Sequence, residues 1–229
     1  MEPLFPGLDE IPDPAARVAR HLARLPARLP TQESELSAED SPTRPQRRRL
    51  LAFAGILSVG WIAGVVAWSG LRSDIGTPVT AASLVMLVVL AVVAAAWLMR
   101  PGRYGLPPGL RVVQALTLGL PAGFAALALL DAQPGGAVPL GATRACMLLG
   151  SFMALVPFSL AVLLLRRSLL TAPSWRGAAV GALSALLGAI GIHACCGCNA
   201  LDHVLLGHGL PILGGLSLGA AAGAAWGRV

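Results

Sequence analysis

Six long apolar stretches, none interrupted by an Asp, Glu, Arg or Lys, constrain this 229-residue chain more than any other feature. They run from Leu50 to Ser69, Val79 to Met99, Val112 to Leu130, Ala145 to Leu165, Gly177 to Cys195 and Val204 to Trp226. Each comes close to the ~20 residues that carry a helix, at ~1.5 Å rise per residue, across a ~30 Å hydrocarbon layer. In lipid every backbone N–H and C=O must find a partner inside the segment or in a closed barrel. Continuous apolarity without alternation selects helices over strands. The fold class expected is therefore all-α: a polytopic membrane protein of six transmembrane helices.

Arginine placement sets the expected orientation. Arg47, Arg48 and Arg49 precede the first helix, Arg100, Arg103 and Arg111 follow the second, Arg166, Arg167 and Arg176 follow the fourth, and Arg228 follows the sixth. The alternate loops carry only Arg72 and Arg144, beside Asp74, Asp131 and Asp202. Ten arginines against two, with the richer side retained in the cytoplasm, predict both termini inside. The excess of 17 basic over 11 acidic residues thus belongs to membrane topology and anionic headgroups, and no direct nucleic-acid contact is implied.

Residues 1–49 form the other expected region, a cytoplasmic tail ahead of the transmembrane domain at 50–229. The tail is proline-rich, balanced in charge and has one aromatic residue, Phe5, which is too little apolar surface to fold alone. A largely disordered tail is expected, with no cleavable signal before the first helix. Within it Asp13-Pro14 suits a helix start, Val18, Leu22 and Leu25 recur near helical spacing, and Arg17, Arg20 and Arg24 follow another face. Such a helix either rests on headgroups or folds onto a partner with the three apolar residues as anchors.

The chemistry gathers near the turn between the fifth and sixth stretches. The run from His193 through Cys195, Cys196, Cys198 and His203 to His208 holds three of the four cysteines and three of the four histidines. The fourth cysteine, Cys146, opens the fourth stretch, which by the same topology begins on the same, outer side. Three readings fit: one or two disulfides in an oxidising compartment; a soft-metal site for zinc or copper, or a redox switch at the Cys195-x-x-Cys198 pair; or helix-interface filling. Ionisable groups at membrane depth favour the second, with Cys146, His193, Cys195, Cys196, Cys198, His203 and His208 as its candidates.

Other features are expected to serve packing. Gly215, Gly219, Gly223 and Gly227 recur every four residues, opposite Gly177, Gly181, Ser184 and Gly188, as small-residue faces do where helix backbones approach. Pro157 and Pro211 should distort their helices. The spans contain no acidic residue, so a transporter's ion relay lacks its parts, and phosphate-loop, zincin and nucleophile-elbow motifs are absent.

These features together resemble a known family. The tail of about fifty residues, six helices, Leu71-Arg72-Ser73-Asp74 after the first helix, Leu165-Arg166-Arg167 after the fourth, and the His/Cys run followed by His208 are similar to the NrsF-like negative regulators of ECF sigma factors, over about residues 47–229. The resemblance implies a bacterial inner-membrane anti-sigma factor that sequesters an ECF-type sigma factor at the cytoplasmic face, with membrane-domain cysteines implicated in sensing. Cys196 and His208 best match the Cys and His of that family's last hairpin. The chain departs from the pattern in its longer tail, acidic from Glu33 to Asp40, and in the extra thiols Cys195 and Cys198. A light-responsive anti-sigma factor of the CarR type shares the architecture. The competing class is a membrane thiol-disulfide oxidoreductase, for which only Cys146 and Cys196 would remain as a second pair.

Overall fold

A computed structural model describes residues 44–73, 78–99, 109–131, 138–165 and 172–226. The tail residues Val18, Leu22, Leu25, Arg17, Arg20 and Arg24 lie outside the described residues, as does Gly227. Among the described residues all regular structure is helical. The helices are α1 (Arg44–Ser69), α2 (Pro78–Met99), α3 (Leu110–Asp131), α4 (Leu140–Leu165), α5 (Pro173–Cys195) and α6. α6 opens as one turn at Leu201–His203, continues as a π-helix at Val204–Gly209 and finishes as α-helix over Leu210–Trp226. Each contains a segment long and apolar enough to cross a membrane.

Several helices outrun the apolar stretches that announce them. α4 begins at Leu140 and takes in Arg144, and α5 begins at Pro173 and takes in Arg176. A helix ends where its backbone is capped, not where hydropathy falls; Pro173, with no N–H to lose, is a natural first-turn residue. One expectation needs correction. The third span ends on Asp131 itself, 5 % exposed, so an acidic residue does sit at the end of a span. It stays buried there because His193 and Ser83 meet it, as described below.

α5 is the hub of the bundle, buried along most of its length, while the other five turn much of their apolar surface outward. Its small residues make this possible. A Cβ on Gly177 would strike the Gly219 carbonyl, one on Gly181 the Gly215 carbonyl, and one on Gly188 the Gly150 carbonyl. α5 therefore lies backbone to backbone against α6 on one side and α4 on the other. With no water to squeeze out between helices in lipid, this close van der Waals contact is what holds them. Some buried hydroxyls are satisfied within their own helices, as Thr117 donates to Val113 O and Ser184 to Val180 O, which suits a medium without competing water.

α1 differs. Its apolar side chains are largely exposed, and its contacts with the bundle include Trp61 on Phe152, with ring centroids 4.9 Å apart, and Ile62 against Gly191. It ends at Gly70, whose φ of +85° and N–H bond to Val66 O form a left-handed cap that glycine adopts without strain.

Candidate metal centre

The end of α5, the 196–200 turn and the start of α6 meet the start of α4 and the end of α3 at one end of the bundle. The local cause is the π-helix in α6. In a regular helix His203 and His208, five residues apart, would point about 140° away from each other. A π-helix bonds residues five apart, so it stacks the two imidazoles on one face. Their ring centroids are 5.4 Å apart. Pro211 gives the physical reason for the widened turn: its ring presses on the carbonyl one turn back and it can donate no hydrogen bond, both relieved when the preceding turn opens.

Cys146, Cys196, His203 and His208 thereby converge, with one ligand atom from each lying within 4.8 Å of the others. The Cys146 thiol donates to Cys196 Sγ at 3.7 Å, and Cys196 Sγ lies 3.2 Å from His203 Nε2. The Thr143 hydroxyl meets His203 Nδ1 at 3.1 Å and so turns Nε2 toward the sulfurs. His208 is fully buried, yet neither of its ring nitrogens has a hydrogen-bond partner. Burying unpaired polar atoms is costly, so a missing partner is expected at that ring. The Cys146 hydrogen bond holds the Cys196 thiol below its ordinary range against the opposing effect of burial.

These distances suit a tetrahedral ion. Zn–S near 2.3 Å and Zn–N near 2.0 Å imply S···S of about 3.8 Å and S···N of about 3.5 Å. The Cys146–Cys196 and Cys196–His203 edges, at 3.7 and 3.2 Å, depart from those values by a few tenths of an ångström, and the remaining edges are within 4.8 Å. The Thr143 hydroxyl can also accept the far N–H of His203, the outer-partner role that a metal-binding imidazole needs filled. All four cysteines are free thiols.

Of the seven residues singled out from sequence, four come together. His193 packs edge-on against His208, with centroids 5.9 Å apart, but its Nε2 faces Asp131 Oδ2 at 3.2 Å and Ser83 Oγ at 3.4 Å. This is not a hydrolytic triad, because carboxylate and hydroxyl meet the same ring nitrogen instead of opposite ones. Cys195, the last residue of α5, and Cys198, in the turn, are half-buried and fall outside the group of four.

Over residues 36–228 the chain matches the family described as NrsF, negative regulator of sigma F. It belongs to that family. No curated protein and no solved structure shows a match. As an NrsF protein it is a negative regulator acting on a sigma factor, and its helices are those of a multi-pass membrane protein.

Sequence reasoning missed the partners that hold the NrsF cluster in place. Asp131 read as a loop charge, Arg72 counted as a loop arginine within the Leu71-Arg72-Ser73-Asp74 motif, and Ser83, Thr143 and Asn199 drew no reading of their own. Only the five-residue spacing of His203 and His208 ahead of Pro211 carried a signal of the π-turn.

Proposed function

We propose that this NrsF protein is an inner-membrane anti-sigma factor that holds an ECF-type sigma factor at the cytoplasmic face and releases it when a soft metal ion, zinc or copper, occupies Cys146, Cys196, His203 and His208. The observation that carries the reading is this convergence of two thiols and two imidazoles around a fully buried His208 without hydrogen-bond partners. Arginine asymmetry puts this end of the bundle outside and both termini in the cytoplasm, so an envelope signal meets the cluster and the tail meets the sigma factor. In the tail Val18, Leu22 and Leu25 supply the buried anchors of a helix that folds on binding, and Arg17, Arg20 and Arg24 steer it to acidic surface.

The ion would supply positive charge and fixed geometry, drawing the two sulfurs and two ring nitrogens onto one centre. Thr143 fixes the His203 ring for this, and the π-turn delivers His208. Purified full-length protein in nanodiscs should retain one zinc per chain, and a Cys196→Ser, His208→Ala double variant should retain none. In cells the same variant should repress normally but fail to induce the sigma-dependent reporter under soft-metal stress. Wild-type induction at equal protein abundance would make the cluster structural and end the sensing reading.

A second reading has its own observation, the 3.7 Å approach of Cys146 and Cys196 sulfurs. Closing that gap to the ~2.05 Å of a disulfide would make oxidation the signal. Mass spectrometry after oxidant stress tells the two apart: an intact Cys146–Cys196 bridge in the induced state favours redox sensing, and two free thiols favour the metal.

A further inference from the structure

The loop after α1 is fastened to the cluster's own end of the bundle by one buried arginine, and from this geometry we infer that Arg72 is the positioning residue through which the state of Cys196 reaches α1. The inference rests on the reading of the Cys/His cluster as the sensor.

Beyond the Gly70 cap the chain turns inward, leaving Leu71 exposed and Arg72 4 % exposed. The Arg72 backbone N–H donates to Ala194 O at 3.1 Å. Its guanidinium donates to His193 O at 3.4 Å and to Asn199 Oδ1 at 3.0 Å. A helix end leaves its last four carbonyls without intrahelical partners. At the end of α5 the Cys196 N–H takes the Ile192 carbonyl, and Arg72 takes those of His193 and Ala194 from the loop after α1. A fixed cation there also complements the negative end of the helix dipole.

The three contacts straddle one ligand. His193 and Ala194 lie before Cys196 in the chain and Asn199 lies after it, so the planar, multiply donating guanidinium clasps the segment that Cys196 must move within. Asn199 is itself buried, and its Nδ2 has no hydrogen-bond partner, so the bond from Arg72 orients that amide. On the other side of Arg72 stands α1, a 26-residue helix with little side-by-side packing. A rod held loosely along its length responds to what holds its end. Any shift of the 196–199 turn is thus delivered at Arg72 and passed along α1 toward the tail-bearing end.

The test separates binding from transmission. Arg72→Gln in the full chain should keep one zinc per chain in nanodiscs while reporter induction by zinc falls about tenfold, within the usual range of coupling between sites. Arg72→Lys, which keeps the charge without the fork, should fall between the two, and Asn199→Ala should show a smaller form of the same split should Arg72→Gln fail to accumulate. Induction equal to wild type overturns the inference. Loss of zinc together with induction also overturns it, since Arg72 would then only build the site. A readout without metal keeps this apart from the metal reading itself: hydrogen exchange at 66–72 should change on Cys196→Ser when Arg72 is present and not when combined with Arg72→Gln. Wild-type protein that takes up no zinc fails the metal reading alone, whereas no exchange difference in either background removes the strap.

Discussion

Of α1 and α5, the span Arg49–Ser69 within α1 is the more apolar, yet α5 is packed to backbone contact and α1 is nearly bare. In water the more apolar helix would be the more buried. In lipid, hydrocarbon outside a helix is as good a solvent as hydrocarbon inside, so burial follows side-chain size, and glycine and alanine win the centre while valine, leucine and tryptophan face outward. The contrast also divides labour. A four-residue ligand set needs a frame that does not yield, and the α5–α6–α4 contacts provide it; a signal needs a part whose position is cheap to change, and α1 is held at its Arg72 end and by a few side chains such as Trp61 and Ile62.

The largest effect should come from adding bulk where the frame is tight. Gly181→Val puts a side chain onto the Gly215 carbonyl, a backbone atom that cannot rotate away, and Gly219→Val does the same to Gly177. Each should destabilise the folded protein by about 3 kcal/mol or more, at or beyond the upper end for overpacking. Thermal unfolding in detergent measures it. Gly60→Val and Gly64→Val on α1, where nothing lies within 4 Å, should leave the unfolding temperature within error. Equal sensitivity of both helices would break the comparison.

This frame was legible in the sequence and the cluster only half so. Small residues at Gly215, Gly219 and Gly223 opposite Gly177 and Gly181 announced close packing because helical period alone decides which residues share a face. The six spans were legible because a membrane imposes a length. The seven candidate ligands shared a depth for the same reason, but which four converge depends on a change of helical period at Val204–Gly209, and their supports come from elsewhere in the chain: Thr143 from α4 to His203, Asp131 from α3 to His193, and Arg72 from the loop after α1 to Asn199. Topology fixes height in the membrane, while rotation about each helix axis is fixed by packing that one sequence does not display.

A smaller effect should follow from loosening the cluster without touching a ligand. Thr143→Val keeps the shape and removes the hydroxyl that orients His203. Zinc affinity should fall about 10–100-fold, as for other outer partners of metal-binding imidazoles, with the unfolding temperature of the metal-free protein little changed. Competition against a fluorescent chelator measures it. An unchanged affinity would mean that the π-turn alone sets the ring, and would sharpen the role of Pro211; Pro211→Ala, by allowing a regular turn, should then be the change that separates His203 from His208.

The smallest effect is expected on α1 itself. Trp61 stacks at a tilt of 60° on Phe152, and its Nε1 has no hydrogen-bond partner, so the pair contributes packing and nothing polar. Trp61→Leu should cost about 1 kcal/mol or less, the range of an aromatic pair, because lipid replaces most of the contact. Its signature should be in signalling instead: with α1 freed at mid-length, more of any displacement at its Arg72 end is spent as tilt, so induction of the reporter should weaken modestly while zinc uptake stays the same. A stability loss as large as that of Gly181→Val would show that α1 belongs to the frame after all, and a rod that is part of the frame has no freedom with which to carry a signal.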